Sequence, residues 1–356
     1  MGEFYPTITF FFNRITMKKL ILSFCFLLIV HMIVSQNFKY RTVPFYFLQI
    51  QDSYKLDLFE FTDITSYMPV GYKTDGSIDY TEFIQAGINK NRKVIMPNFP
   101  VMLNDNGLDI PSNTTIVFRP KSELLLEGTI KGSYQIIRIH NKQNVNIYNA
   151  KITGDRLSHI GNDGEWGMGI SIRGSDNIGI FNSVIKKCWG DGIYIGHSKT
   201  HSSNITIKGT YIDYNRRNGI SIISVDKLLI KNSVFSNTFG TNPQTGIDIE
   251  PNYSINKLDN IVFENIVTFN NFKNGVLIHL NKLPGKNSQE ANVVFSNYTD
   301  LYSTRPVRVS GTFSGDVEKT KPLGGEIKFR KTSFINNKYP KSITSNKMFP
   351  KIIFEN

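Results

Sequence analysis

Two carboxylates stand on alternate residues of the stretch TGIDIEPN, Thr245 to Asn252: Asp248 and Glu250, with Ile249 between them. Alternate side chains of a β-strand share a face, which sets the two acids roughly 7 Å apart. Like charges at that spacing repel, and repulsion raises the pKa of one partner. One protonated and one ionised carboxyl, side by side, is what acid–base cleavage of a glycosidic bond requires. Asp191, in GDGIYIGH, completes the candidate catalytic set. Residue types that suit a sugar polymer surround the acids in the repeat pattern. Trp166, Trp189 and Tyr194 offer rings for the apolar face of a sugar. Arg173, His197, Arg216, Arg217, Asn218, Asn252 and His279 offer polar contacts to its hydroxyls. An arginine fork also matches a uronate carboxylate. The same residues admit two other readings. Asp248, Glu250 and Asn252 present oxygens suited to Ca²⁺, which a lyase uses to neutralise a uronate, with Arg216 or Arg217 as base or charge clamp. Alternatively, the acids merely pair with arginines on a solvated face. No other metal or cofactor is implied.

These residues converge only if the chain folds in stacked coils. The segments NVNIYNA at 144, NIGIFNS at 177, NITIKGT at 204, KLLIKNS at 227 and NIVFENI at 260 repeat one pattern. NVVFSNY at 292 and EIKFRKT at 326 continue it. A second series interleaves: GISIRG at 169, GIYIGH at 192, GISIIS at 219, GIDIEP at 246 and GVLIHL at 275, at intervals of 23, 27, 27 and 29 residues. Each unit holds short alternating strands and has no room for a crossover helix. Such units bury their apolar faces only by stacking, which predicts an all-β solenoid. A β-propeller needs blades of about 40–45 residues. Aligned on the recurrent glycines, one outward column reads Ser171, Tyr194, Ser221, Asp248, Leu277. The next reads Arg173, Gly196, Ile223, Glu250, His279. Asn182, Asn232, Asn265 and Asn297 share a turn position suited to a ladder of amide hydrogen bonds. Apolar spacing at Phe83, Ile84 and Ile88 within YTEFIQAGIN predicts a helix that caps the first coil.

The stretch KTDGSIDYTEFIQAGINKNRKVIMPNFPVML, from Lys73 to Leu103, resembles the N-terminal region of the pectate-lyase-like superfamily. The resemblance, over roughly Tyr72 to Asn337, implies a single-stranded right-handed parallel β-helix with an N-terminal capping helix. Likeness to polygalacturonase-type glycoside hydrolases is partial. Gly190-Asp191-Gly192 and Gly196-His197-Ser198 approximate motifs of that family, while its adjacent Asp pair and its Arg-Ile-Lys motif are missing. What carries over is the general idea of carboxylates on one exposed sheet.

Lys18 and Lys19 precede an apolar run from Leu20 to Val34, the layout of a signal peptide over residues 1–35. Met17 is then the natural start, with residues 1–16 an over-extension. Residues 36–71 read as an N-terminal extension, and 72–356 as the β-helix domain, irregular from about 281. Export to a bacterial envelope or medium follows, without stable membrane insertion after cleavage. Of the two cysteines only Cys188 lies beyond the leader, so a large core must replace disulfides. The 356 residues carry a net charge of +12, spread along the chain, which favours an acidic polymer over nucleic acid. The combined reading is a secreted polysaccharide-active enzyme, a glycoside hydrolase in the first instance, on a uronate-containing or similar polymer. A lyase or uronate epimerase, and a non-catalytic adhesin-like glycan binder, are the alternatives.

Overall fold

Alternation of isoleucine with polar residues produces strands, and asparagine or glycine turns end them. In the computed structural model these strands stack in parallel, coil upon coil. The structure describes residues 38–49, 54, 56–285, 289–311, 322–344 and 347–355. Residues 1–40 and 41–356 are separate units, and the second holds the solenoid. The segment read as a signal peptide lies outside the described residues.

Nine strands make the wall that carries the candidate site. They run in chain order from Leu108–Asp109 through Ser133–His140, Trp166–Arg173, Ile193–Gly196 and Asn218–Ile222, then Thr245–Ile249, Asn274–His279 and Arg305–Ser310 to Ser342–Ile343. The other two walls belong to one sixteen-stranded sheet. They are joined because the strands Val225–Ser236, Leu258–Phe269, Ala291–Leu301 and Glu326–Ile335 run through the corner between them. The backbone turns that corner at Asn182, Gly209, Asn232, Asn265 and Asn297, all at positive φ. Asparagine tolerates this conformation better than other side-chain-bearing residues. Its amide then forms the later part of the expected ladder: Asn265 Nδ2 donates to Asn232 Oδ1 at 3.0 Å, and Asn297 Nδ2 to Asn265 Oδ1 at 2.9 Å, while Gly209 separates Asn182 from Asn232. A second ladder, Asn177 to Asn144 to Asn113, was not anticipated.

Register decides which faces are inside. Ile137, Ile170, Ile193, Ile220, Ile247, Val276 and Val307 stack in one buried column, and Ile139, Ile172, Ile195, Ile222, Ile249, Ile278 and Val309 in another. Each such side chain contributes about 2–3 kcal/mol of burial. In the last coils the interior is aromatic, with Phe263, Phe295, Phe329 and Phe354 stacked at 4.2, 4.7 and 4.7 Å between successive ring centres.

The expected N-terminal helix is Thr81–Lys90, with Ile84 and Ile88 fully buried; Phe83 faces outward. The Asp79 carboxylate accepts from the Thr81 backbone N–H at 2.9 Å, tying the helix start to the chain before it. Two boundaries differ from the sequence reading. Thr62–Asp63, inside the segment read as an extension, already pairs with Lys93–Ile95. Beyond residue 281 the strands keep stacking in register through Glu326–Ile335 to Lys351–Glu355, so only the loops there are irregular. NVVFSNY at 292 and EIKFRKT at 326, which continue the repeat, lie in two of these strands.

Candidate functional site

The glycine alignment matches the observed register. Ser171, Tyr194, Ser221, Asp248 and Leu277 pair in sequence across adjacent strands, and Arg173 pairs with Gly196. Over this wall lies a polar cavity of about 710 Å³. Trp166, Arg173, Tyr194, Arg217, Glu250 and Asn252 line it, as the sequence predicts. Trp166 is 52% exposed. Arg173 lies over the Tyr194 ring at 4.3 Å, donates from Nε to Ser171 Oγ at 3.2 Å, and has no carboxylate partner among the described residues. It therefore brings an uncompensated positive charge to the cavity.

The three acids share the predicted wall but not the predicted exposure. Asp191 and Asp248 are both fully buried, while Glu250 is half-buried and faces the cavity. The long Arg217 side chain lies against Asp191 and Ser221 on this face. Arg217 Nη1 donates to both oxygens of Asp191, at 2.9 and 3.1 Å, and to Ser221 Oγ at 3.3 Å. Its Nε stands 3.4 Å from Glu165 Oε2, an ion pair without a hydrogen bond. Burial pushes the Asp191 carboxyl up, against the opposing pull of Arg217. Asp248 Oδ2 accepts from Asn218 Nδ2 at 3.0 Å, and its Oδ1 has no partner. Burial first, and then the charge of Glu250, push Asp248 well above the usual carboxylate range. The repulsion read from the sequence therefore acts on Asp248, secondary to desolvation. The carboxyl whose neutral form is favoured by burial thus lies two residues from the cavity acid.

Several other expected contacts stand elsewhere. Trp189 is not a sugar platform: His159 stacks on its ring at 3.8 Å, and the Arg216 guanidinium lies over the ring at 3.8 Å. Arg216 donates to the Gly164 carbonyl at 2.8 Å and so braces a loop. Asn218 is fully buried, where its amide bonds Ser221, Asp248 and the Thr245 backbone. His197 sits by Asn256 and edge-on to Tyr253, away from the cavity lining. His279 lies one coil past Glu250, hydrogen-bonded to Ser310 Oγ at 2.9 Å. The calcium reading loses a ligand, because Asp248 is sealed from solvent and shares one oxygen with Asn218. No cluster of three His, Cys, Asp or Glu residues able to hold a metal ion occurs among the described residues.

The cavity also has residues that the sequence reading missed. His140, Gln135 and Ser133 come from the strand one coil earlier. That strand carries Ile136 where later coils have the keying glycine, so the alignment passed over it. Burial, with Arg173 and Arg138 nearby, pushes His140 down to about 4, and its neutral ring bonds Ser171 Oγ at 2.9 Å. Glu165 belongs to the long polar loop 154–167, whose composition fits a cleft wall as well as a solvated loop, and it faces the cavity beside Arg217. Its pairing with a residue 52 positions away leaves no local signal.

Residues 98–257 match a family model described as "Right handed beta helix region". This stretch is a right-handed β-helix. Two Bacillus subtilis (strain 168) proteins resemble part of it. The SPbeta prophage-derived uncharacterized protein YorA and the uncharacterized protein YclG are each 31% identical over 162 residues, 40% of this chain. The chain spans only 28% and 27% of their lengths. Among solved structures, a galactohydrolase acting on 1,3-α-1,4-β-D-galactose-4-sulfate-3,6-anhydro-D-galactose-2-sulfate superposes with a TM-score of 0.55 at 13% identity, covering 82% of this chain and 75% of its own. The A-module of the Azotobacter vinelandii mannuronan C-5 epimerase AlgE6 gives 0.53 at 12% identity, over 83% and 99%. The tailspike gp49 of Acinetobacter baumannii bacteriophage Fri1, a capsular polysaccharide depolymerase, gives 0.52 at 14% identity, over 83% and 59%. At these identities the likeness is one of fold: the β-helix is shared by proteins of several activities.

Proposed function

We propose that the protein is an exported polysaccharide-active enzyme, a glycoside hydrolase, with the cavity over residues 133–252 as its site. The observation that carries this reading is the pairing of cavity-facing Glu250 with buried Asp248, whose carboxyl burial pushes up, on a wall that also presents Arg173, Tyr194 and Trp166. Trp166 offers a half-exposed ring to a sugar face, and Arg173 offers an unneutralised guanidinium to a carboxylate or sulfate. Glu250 is the carboxyl placed to exchange a proton at the glycosidic oxygen. Asp248, its neutral form favoured by burial, stands close by, and Asp191 holds Arg217 in the cavity wall. The leader read at residues 18–34 fits a polymer met outside the cytoplasm. Among the described residues no helix is long and apolar enough to cross a membrane.

A lyase or epimerase reading draws on the same Arg173, since stabilising a uronate carboxylate is the first need of that chemistry. The deciding experiment is a screen of acidic and neutral polysaccharides that reads new reducing ends and ultraviolet absorbance together. Reducing ends without absorbance support the hydrolase. Unsaturated, absorbing ends support a lyase, and binding with neither product supports an adhesin-like role. Retention of full activity by Glu250→Gln on a cleaved polymer would remove the site assignment.

A further inference from the structure

The loop 154–165 is twelve residues long without a strand or helix, yet three of its ionisable side chains, Asp155, Arg156 and His159, are built into the body of the protein. Asp155 is fully buried and accepts from the Tyr134 hydroxyl and from His159 Nδ1, the latter at 2.6 Å. Arg156 lies between the Tyr214 and Phe239 rings, 4.1 and 4.2 Å from their centres, and donates to the carbonyls of both residues. Ordering a dozen residues costs of order 1–2 kcal/mol each in backbone entropy, so contacts this extensive have a consequence that a solvated loop would not need.

That consequence lies at the loop's far end. The Trp189 ring is clasped between the His159 imidazole and the Arg216 guanidinium. Trp189 Nε1 donates to the Asp163 carbonyl at 3.2 Å, and Arg216 Nη1 to the Gly164 carbonyl at 2.8 Å. The two peptide units before Glu165 are therefore held by the clasp. Gly164, at φ +84°, lies so close to Gly132 that a Cβ there would come within 2.2 Å of the Gly132 Cα. Chain direction is thus fixed just before Glu165 and Trp166 enter the cavity wall. We propose that His159 and Arg216 are positioning residues: by clasping Trp189 they hold this loop so that Glu165 and Trp166 wall the cavity. The role rests on the cavity being a glycan site, although the clasp itself can be tested without substrate.

The test uses the full chain with Arg216→Met, a half-buried position that folding tolerates, and His159→Leu as the second variant. Hydrogen exchange should speed up about tenfold or more at residues 154–166 and stay unchanged in the isoleucine columns. In a Trp166→Phe background, Trp189 becomes the sole tryptophan, and acrylamide should quench it more readily in both variants. Affinity electrophoresis on polygalacturonate, alginate and a sulfated galactan forms the other arm. There the dissociation constant of whichever polymer binds the wild type should rise about tenfold, and for a cleaved polymer KM should rise with kcat nearly constant. Unchanged exchange in the loop, or exchange raised equally in every coil, overturns the clasp. A loosened loop with polymer affinity within twofold of wild type overturns the positioning role. If the wild type binds none of the polymers while the loop loosens as expected, the glycan reading falls, the role it lends these residues falls with it, and the clasp stands.

Discussion

Arg217→Met is the most informative single change, because it strips a buried carboxylate of its cation. Arg217 makes two hydrogen bonds to Asp191, which has no solvent exposure, and its charge also reaches buried Asp248. Removing one partner of such a pair costs about 3–5 kcal/mol. With an unfolding entropy of about 2.1 cal/mol/K per residue over roughly 300 residues, that corresponds to a fall in Tm of about 5–8 °C. The sign of the pH dependence follows from the direction of the shifts. Asp191 and Asp248 are both raised in the fold, so folding disfavours their ionised forms. The deficit of the variant is therefore largest where Asp191 is ionised in the folded wild type and shrinks as pH falls through its raised folded-state pKa, below which the carboxyl is protonated in both folded proteins. Urea unfolding of wild type, Arg217→Met and the double variant with Asp191→Asn, at pH 7.5 and pH 4.5, measures this directly. The double variant should recover at least half of the loss at pH 7.5. An equal deficit at both pH values, or no recovery on neutralising Asp191, would refute the account of a paired buried charge.

Glu250→Gln should lower activity on any cleaved polymer by about 100-fold or more while shifting Tm by less than about 1 °C, since the side chain is only half-buried; turnover within threefold of wild type counts against it. Asp300 is fully buried among Thr268, Ser303 and Asn337, and burial pushes its carboxyl up to about 6. Its ionised form is disfavoured in the fold, so wild type should gain about 2 kcal/mol relative to Asp300→Asn as pH falls from 7 to about 4; parallel stability curves for the two proteins would exclude this. Asn265 occupies the left-handed corner and makes two ladder hydrogen bonds. Asn265→Ala should cost about 2–4 kcal/mol, whereas Asn265→Gly should lose only the ladder part; identical urea midpoints for the two would show that conformation contributes nothing there.

The repeat made the solenoid and its register legible, because a period of two leaves one way to keep every isoleucine inside. That is why the Ser171-to-Leu277 column and the later part of the asparagine ladder match the observed pairing. Burial on the outer face was not legible. Asp248 stands at a position that alternation assigns to solvent, but it is buried, and Asp191 is held under Arg217, whose reach depends on its rotamer. Trp189 and Arg216 were recognisable as neighbours of the acids and not as partners of each other. Their clasp with His159 depends on where a twelve-residue loop returns, and no periodicity encodes that. The pairing of Glu165 with Arg217 escaped for the same reason.

At the corner where asparagines sit, strands are separated by four and five residues in the first two coils, by two in the next three and by none from Val225 onward. The connections of eight or more residues at 154–165, 237–244 and 250–257 flank the wall that holds the cavity. Insertions and deletions at the asparagine corner would slip the strand register and turn the isoleucine columns outward. Those beside the cavity wall leave the stack intact. Divergence in chain length is thereby channelled to the rims of the site, where new segments can reshape what is bound while the scaffold stays the same.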